Sequence, residues 1–291
     1  MRKLQLIHLY CFVCQCYDNY PCLHFQRMSN NSSPVFTDQE VLTIYLFGTL
    51  QRQFLVSHIY EYIEEHWLEW FPQLPSYQAF NYRLNQLYWQ MELMCSLLLT
   101  QTDYSDAYGN VHVLDSMPII LSKHPYQAKV AHGVADKGYC PSKDLYYHGV
   151  KFHLLAADIY RKLPKPQAVG FTAASINDWT AAKEWCYQLE NTTLFADKIY
   201  GSQSDRQVLE KQGVHLFTPV KHQKGQTHLQ AADKQFSRWV SSIRQPIESL
   251  FEWIDHKTKL QNASHVRSEK GLYLHCWGKL ATALFLIVFY P

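Results

Sequence analysis

Apolar and polar positions change their rhythm once along the chain, near residue 110. Before it the pattern is helical. "SSPVFTDQEVLTIYLFGTLQ" opens with Thr37 and Glu40 at capping-box spacing. Apolar residues then fall on nearly every face, as in a helix central to a small bundle. Val56, Ile59, Tyr60, Ile63 and Trp67 follow at the spacing of a one-sided amphipathic helix, which the two prolines of "FPQLPS" (71–76) end. Phe80, Leu84, Leu87, Met91, Met94 and Leu98 alternate spacings of four and three. This predicts a third helix with a single apolar seam, used either as bundle core or as a dimer contact.

"DYSDAYGN" (103–110) is a polar, turn-rich linker, and β-rich runs follow it. Strands are predicted over 111–119, 146–158 and 167–178. A helix over 178–190 is capped by Asn177 or Asp178, and a strand covers 192–196. A helix over 202–212 is stopped by Gly213, and a fifth strand covers 214–221. A basic, Gln-rich loop (222–237) leads to C-terminal helices. This order predicts a mixed α/β domain of five strands flanked by helices, preceded by a small all-helical domain. The expected division is a Cys-rich segment of unassigned role (1–30), a helical domain open to DNA binding (31–102), the linker (103–110) and a catalytic domain (111–291).

Composition sharpens this in three places. With 47% hydrophobic and 18% charged residues, the 291-residue chain builds a sizeable core, which excludes global disorder. The net charge of +2 hides an asymmetry: residues 1–110 hold 5 basic and 10 acidic side chains, and residues 111–291 hold 22 and 15. The second part thus suits a polyanion. The start, "MRKLQLIHLYCFVC", has no small-residue cleavage site, and the apolar run 281–290 is about half the length of a membrane span. A reducing cytoplasm, free thiols and no membrane are the expectation. Cys11, Cys14, Cys16 and Cys22, with His24, leave a zinc site open as the alternative, though a second well-spaced pair is missing.

The candidate chemistry lies in carboxylates. Asp115 and Asp197 each sit in or after an apolar run with a change of direction beyond. In "SSIRQPIESLFEWIDHKTKLQ" (241–261), Ile243, Ile247, Leu250, Phe251 and Ile254 make an apolar stripe, and Arg244, Glu248, Glu252 and Asp255 share its edge. Pro246 is most at home in a first helical turn, which predicts a helix starting there with Glu248 near N3. Three carboxylates from separate elements suit Mg²⁺ or Mn²⁺. Two such ions about 4 Å apart promote phosphodiester chemistry.

The blocks "VLDSMPI", "YHGVKFHLL", "LFADKIYGS" and "IRQPIESLFEWI" together resemble those of the DDE transposases of bacterial insertion sequences. The resemblance spans roughly residues 36–285. It implies an RNase H-like fold, with Asp115, Asp197 and Glu248 as a metal-binding triad; helical spacing leaves Glu252, one turn away, as the alternative to Glu248. It also implies cleavage at transposon ends, strand transfer into target DNA, and a homodimer assembled on DNA. Candidate DNA contacts are Lys151 and His153 on one strand face, Tyr200 as a base stacker, Lys221 and Lys224 in the basic loop, Lys234, Arg238 and Arg244. Lys259 joins them if the last-block helix continues that far. The family's common last block carries Tyr and Lys where this chain has Ser241 and Asp255. A nuclease without strand transfer and a non-catalytic DNA-binding descendant remain the alternatives.

Overall fold

The structure, a computed structural model, describes residues 2–20, 35–102, 110–126, 128–158, 162–221, 226 and 228–290. The chain forms two compact units, Met1–Gln101 with Ile254–Pro291, and Thr102–Trp253. This differs from the expected division, because the helices beyond Ile254 group with the N-terminal helices.

Five helices come first: α1 (Arg2–Asn19), α2 (Asp38–Leu50), α3 (Val56–His66), α4 (Tyr77–Gln86) and α5 (Tyr88–Thr100). Thr37 and Glu40 form the capping box of α2, and ten of its thirteen residues are buried, as its all-round apolar pattern requires. The seam from Phe80 to Leu98 is buried along its whole length within this unit. It is divided between α4 and α5, because Leu87 leaves helical geometry at φ −92°, ψ 17°. A one-residue break of that kind keeps the apolar spacing and is silent in the sequence.

The second unit is built on a sheet. Its elements are β1 (Val111–Ser122), β2 (Asp136–Cys140), β3 (Leu145–Ala157), β4 (Lys165–Ala173), α6 (Asp178–Cys186), β5 (Thr192–Ala196), α7 (Gln203–Lys211), β6 (Val214–Phe217) and α8 (Ala231–Thr258). β1 pairs antiparallel with β3 and parallel with β5, which pairs parallel with β6. Along the other edge of β3, β2 and β4 lie end to end, β2 on residues 145–149 and β4 on residues 150–157. The order β4–β3–β1–β5–β6 is the RNase H-like arrangement that the resemblance implied. β2 is a sixth strand. Its Asp, Lys and Gly are poor strand formers, and the exposed edge of the long β3 supplies the pairing that local propensity does not.

The sheet is covered on both faces. Leu114, Leu155, Leu194, Ala196 and Leu216 pack with Trp179, Ala182 and Cys186 of α6 and Leu209 of α7. On the other face, Phe152 meets Phe251 edge-on, and Phe195 meets Trp239. Both partners belong to α8. Phe251 is buried and contributes about 1.5–3 kcal/mol, whereas Trp239 is 46% exposed and lays only part of its ring on Phe195.

α8 corrects two expectations. It begins at Ala231, so Pro246 lies inside it rather than in a first turn, and Lys234 and Arg238 are helical rather than on a loop. It ends at Thr258; Lys259 has φ +55°, so the helix does not carry Lys259 back to the Glu248 face.

Two further helices, α9 (Glu269–Tyr273) and α10 (Lys279–Phe289), flank a π-helical turn at Leu274–Gly278. Glu269–Phe289 is thus a 21-residue helical run, long and apolar enough by composition to cross a membrane. That exceeds the run read from sequence, and 67% of its apolar window is buried inside the protein. The Cys-rich segment becomes α1, whose His8 and Phe12 rings contact Phe285 and Phe289 of α10. Cys11 is exposed while Cys16 is buried, with its thiol pKa pushed up to about 12 by that burial. Cys22 and His24 lie outside the described residues.

Candidate active site

Register brings the two aspartates together. Leu114 of β1 pairs with Ala196 of β5, and the next residue in each strand is Asp115 and Asp197. β5 stops at Ala196 while β1 runs on to Ser122, so Asp115 sits mid-strand where β1 loses its parallel neighbour. Pro118, still paired with Lys151 of β3, falls where the β5 edge of β1 is free, a place that tolerates a residue with no N–H. The chain leaves β5 by a tight turn, with the Tyr200 N–H donating to the Asp197 carbonyl at 3.0 Å. Gly201 follows at φ +74°, where a Cβ would fall 2.5 Å from Leu216, so the turn requires glycine.

Asp115 lies directly across from Leu154 of β3, two residues from Phe152 and therefore on the face that α8 covers. α8 brings Arg244 and Glu248 to that face one turn apart. The Arg244 guanidinium stands among three carboxylates: Nη2 is 2.7 Å from Asp115 Oδ2 and 3.4 Å from Glu248 Oε1, and Nη1 is 3.6 Å from Asp197 Oδ1. The Ser116 N–H donates to Asp115 Oδ1 at 2.8 Å. Side-chain exposure rises outward, from 11% for Arg244 and 16% for Asp115 to 34% for Asp197 and 61% for Glu248.

The electrostatics follow from depth. Burial pushes the Asp115 pKa up, and Arg244 only partly offsets it. Burial opposes the Arg244 charge, yet the three carboxylates outweigh it and hold its pKa above the ordinary value. Arg244 Nε is buried without a hydrogen-bond partner, a donor left unspent.

A family model described as a transposase DDE domain matches residues 106–286, more than half of the chain. The chain belongs to the DDE transposase family. No curated protein and no solved structure matches it. DNA is the substrate class of this transposase domain, its activity is nuclease chemistry of the transposase type, and members of the family generally use divalent metal ions.

Within the transposase domain, the remaining predicted residues separate by face. Lys151 and His153 alternate with Phe152, so they lie on the opposite face of the sheet from Asp115. Lys151 Nζ donates to Asp178 Oδ1 and to the Ile176 carbonyl, each at 2.8 Å. His153 is fully buried, 2.7 Å from Thr172 Oγ1, and burial lowers its pKa to about 4. Neither is open to DNA, because both serve the core beneath α6. Asp178 was readable only as a capping candidate; the cap is Asn177, and Asp178 anchors Lys151. Tyr200 is buried within the same α6–α7 core, so its ring has no free face for a base. Lys221, Lys234 and Arg238 are exposed, and Lys224 lies outside the described residues. Glu252 is exposed on α8, one turn beyond Glu248.

The donor set fits a hard divalent cation in its chemistry: three carboxylates from three elements, all directed at one positive group. Among the described residues no three His, Cys, Asp or Glu side chains form a ready cage. The positive group that the three carboxylates approach is the Arg244 guanidinium.

Proposed function

We propose that this transposase cleaves DNA at transposon ends and joins the freed end to target DNA, with Asp115, Asp197 and Glu248 as the metal-binding triad. One observation carries the reading: a single guanidinium is approached by all three side chains, from β1, the end of β5 and α8. Bound Mg²⁺ or Mn²⁺, as a pair of ions, supplies Lewis-acid stabilisation of charge at the scissile phosphate.

The chain's own groups divide the remaining work by depth. Asp115, held by the Ser116 N–H and with its side chain 16% exposed, is the deepest of the three carboxylates. Asp197 and Glu248, more exposed, close on the site from the turn after β5 and from α8. Asp115, Asp197 and Glu248 would hold the cations, and Arg244, its carboxylate partners then engaged, would present two of its N–H groups to two phosphate oxygens, the bidentate geometry suited to guanidinium. In cleavage a water oxygen bonds to phosphorus and the bond to the 3′ oxygen breaks, leaving a 3′ hydroxyl. In joining, that hydroxyl oxygen bonds to a target phosphorus and displaces a second 3′ oxygen.

The test uses labelled DNA carrying the sequences that flank the protein's own reading frame, with Mg²⁺ or with Ca²⁺. Cut and joined products in Mg²⁺ are expected, and Asp115→Asn, Asp197→Asn and Glu248→Gln should each lower cleavage by at least about 10³-fold while binding persists. Cut products without joined ones would reduce the activity to a nuclease. A variant cutting at the wild-type rate would remove its residue from the triad.

A further inference from the structure

The hairpin of β2 and β3 carries a cluster that the triad does not use. Tyr139 of β2 and Tyr146 of β3 are 44% and 55% exposed, and Tyr126, in a turn between β1 and β2, is 84% exposed. Tyr139 and Tyr146 are direct cross-strand partners with ring centroids 4.8 Å apart. The Lys137 ammonium lies 4.1 Å from the Tyr126 ring centre and 4.8 Å from that of Tyr146, and it donates to the Tyr126 hydroxyl.

Charge around the cluster favours a polyanion. Residues 122–148 hold four Lys and two Asp. Both carboxylates are engaged: Asp144 accepts from the Tyr139 hydroxyl at 2.6 Å, and Asp136 accepts from the Lys137 N–H at 2.7 Å. Lys123 and Lys129 are exposed beside them.

Position links the cluster to the candidate active site. Tyr146, His148, Val150, Phe152 and Leu154 alternate along β3 and share one face, and Leu154 is the partner of Asp115. The rings therefore lie on the triad's face of the sheet, about 26 Å along β3 at roughly 3.3 Å per residue.

We propose that Tyr126, Tyr139 and Tyr146, with Lys137, form a stacking platform for unpaired DNA that flanks the scissile phosphate. Exposed rings with a cation between them suit the faces of unstacked bases, which a closed duplex does not offer. The proposal rests on DNA being the substrate.

The experiment measures binding of the full chain to fluorescein-labelled oligo(dT) of about 20 nucleotides, and to a duplex of equal length, by anisotropy. Tyr126→Ala/Tyr146→Ala should weaken oligo(dT) binding about tenfold or more, and Tyr126→Phe/Tyr146→Phe should stay within about twofold. Duplex binding should be unchanged in both. Oligo(dT) binding by the Ala pair at wild-type strength, or equal loss on oligo(dT) and duplex, would overturn the platform. So would wild-type protein that binds duplex alone. Wild-type protein binding neither probe would overturn the DNA reading itself. If the Ala pair lowers the thermal midpoint, Lys137→Gln replaces it, with a selective loss on oligo(dT) expected and an unchanged affinity overturning the platform.

Discussion

Arg244 has an environment that only its neighbours explain. Removing a guanidinium from a carboxylate cluster leaves several like charges facing one another in a half-buried site. For a fully buried pair such a loss costs about 3–5 kcal/mol. Here the exposure of Glu248 to solvent screens part of it, so Arg244→Ala should cost about 2 kcal/mol in metal-free buffer. Millimolar Mg²⁺ or Mn²⁺ should restore more of the thermal midpoint in this variant than it adds to the parent protein, since the cation then neutralises charge that Arg244 otherwise pairs. Melting both proteins with and without metal decides it. An equal shift in the two would mean that the carboxylates do not hold the ion. The role was only half legible in the sequence. Helical spacing put Arg244 beside Glu248, whereas its approach to Asp115, 129 positions earlier, is a product of the packing of α8 on the sheet.

At the scale of elements, strands with dense apolar runs were readable to within a few residues, because burial on both faces imposes a continuous signature. Elements held by partners rather than by their own composition were not. β2 exists because β3 offers it an edge. The first turns of α8, residues 231–237, read as part of a basic loop, although Phe236, Trp239 and Val240 begin the stripe that continues through Ile243, Ile247, Leu250 and Ile254. Pro246 masks that continuity in the sequence, since proline is so strong a marker of helix starts. An interior proline removes a backbone hydrogen bond and crowds the preceding turn, at about 3 kcal/mol relative to alanine. It lies between Arg244 and Glu248, so its effect on the helix falls on the two residues that face the aspartates. Pro246→Ala should therefore raise the urea midpoint while slowing cleavage. A variant both more stable and fully active would show that the proline has no part in placing the site.

For the whole molecule, folding redistributes charge. The split at residue 110 set 5 basic against 10 acidic residues before it, and 22 against 15 after it. Grouped by folded unit, Met1–Gln101 with Ile254–Pro291 holds 10 basic and 10 acidic residues, and Thr102–Trp253 holds 17 and 15. The asymmetry along the chain nearly vanishes, so DNA attraction has to come from local arrangement. α8 supplies one: Lys234, Arg238, Ser241, Gln245, Glu248 and Glu252 recur at four and three along one exposed stripe. This stripe runs from two cations to the candidate catalytic carboxylate over about 21 Å at 1.5 Å per residue, a path along which a DNA backbone could lie. Each phosphate neutralised releases counterion and contributes about −0.9 to the slope of log K against log salt. Lys234→Ala/Arg238→Ala should thus make the slope for duplex binding shallower by about 2, with roughly equal loss of affinity on any sequence. Titrations across a range of salt read this directly. An unchanged slope would leave α8 a packing helix whose two cations are merely solvated.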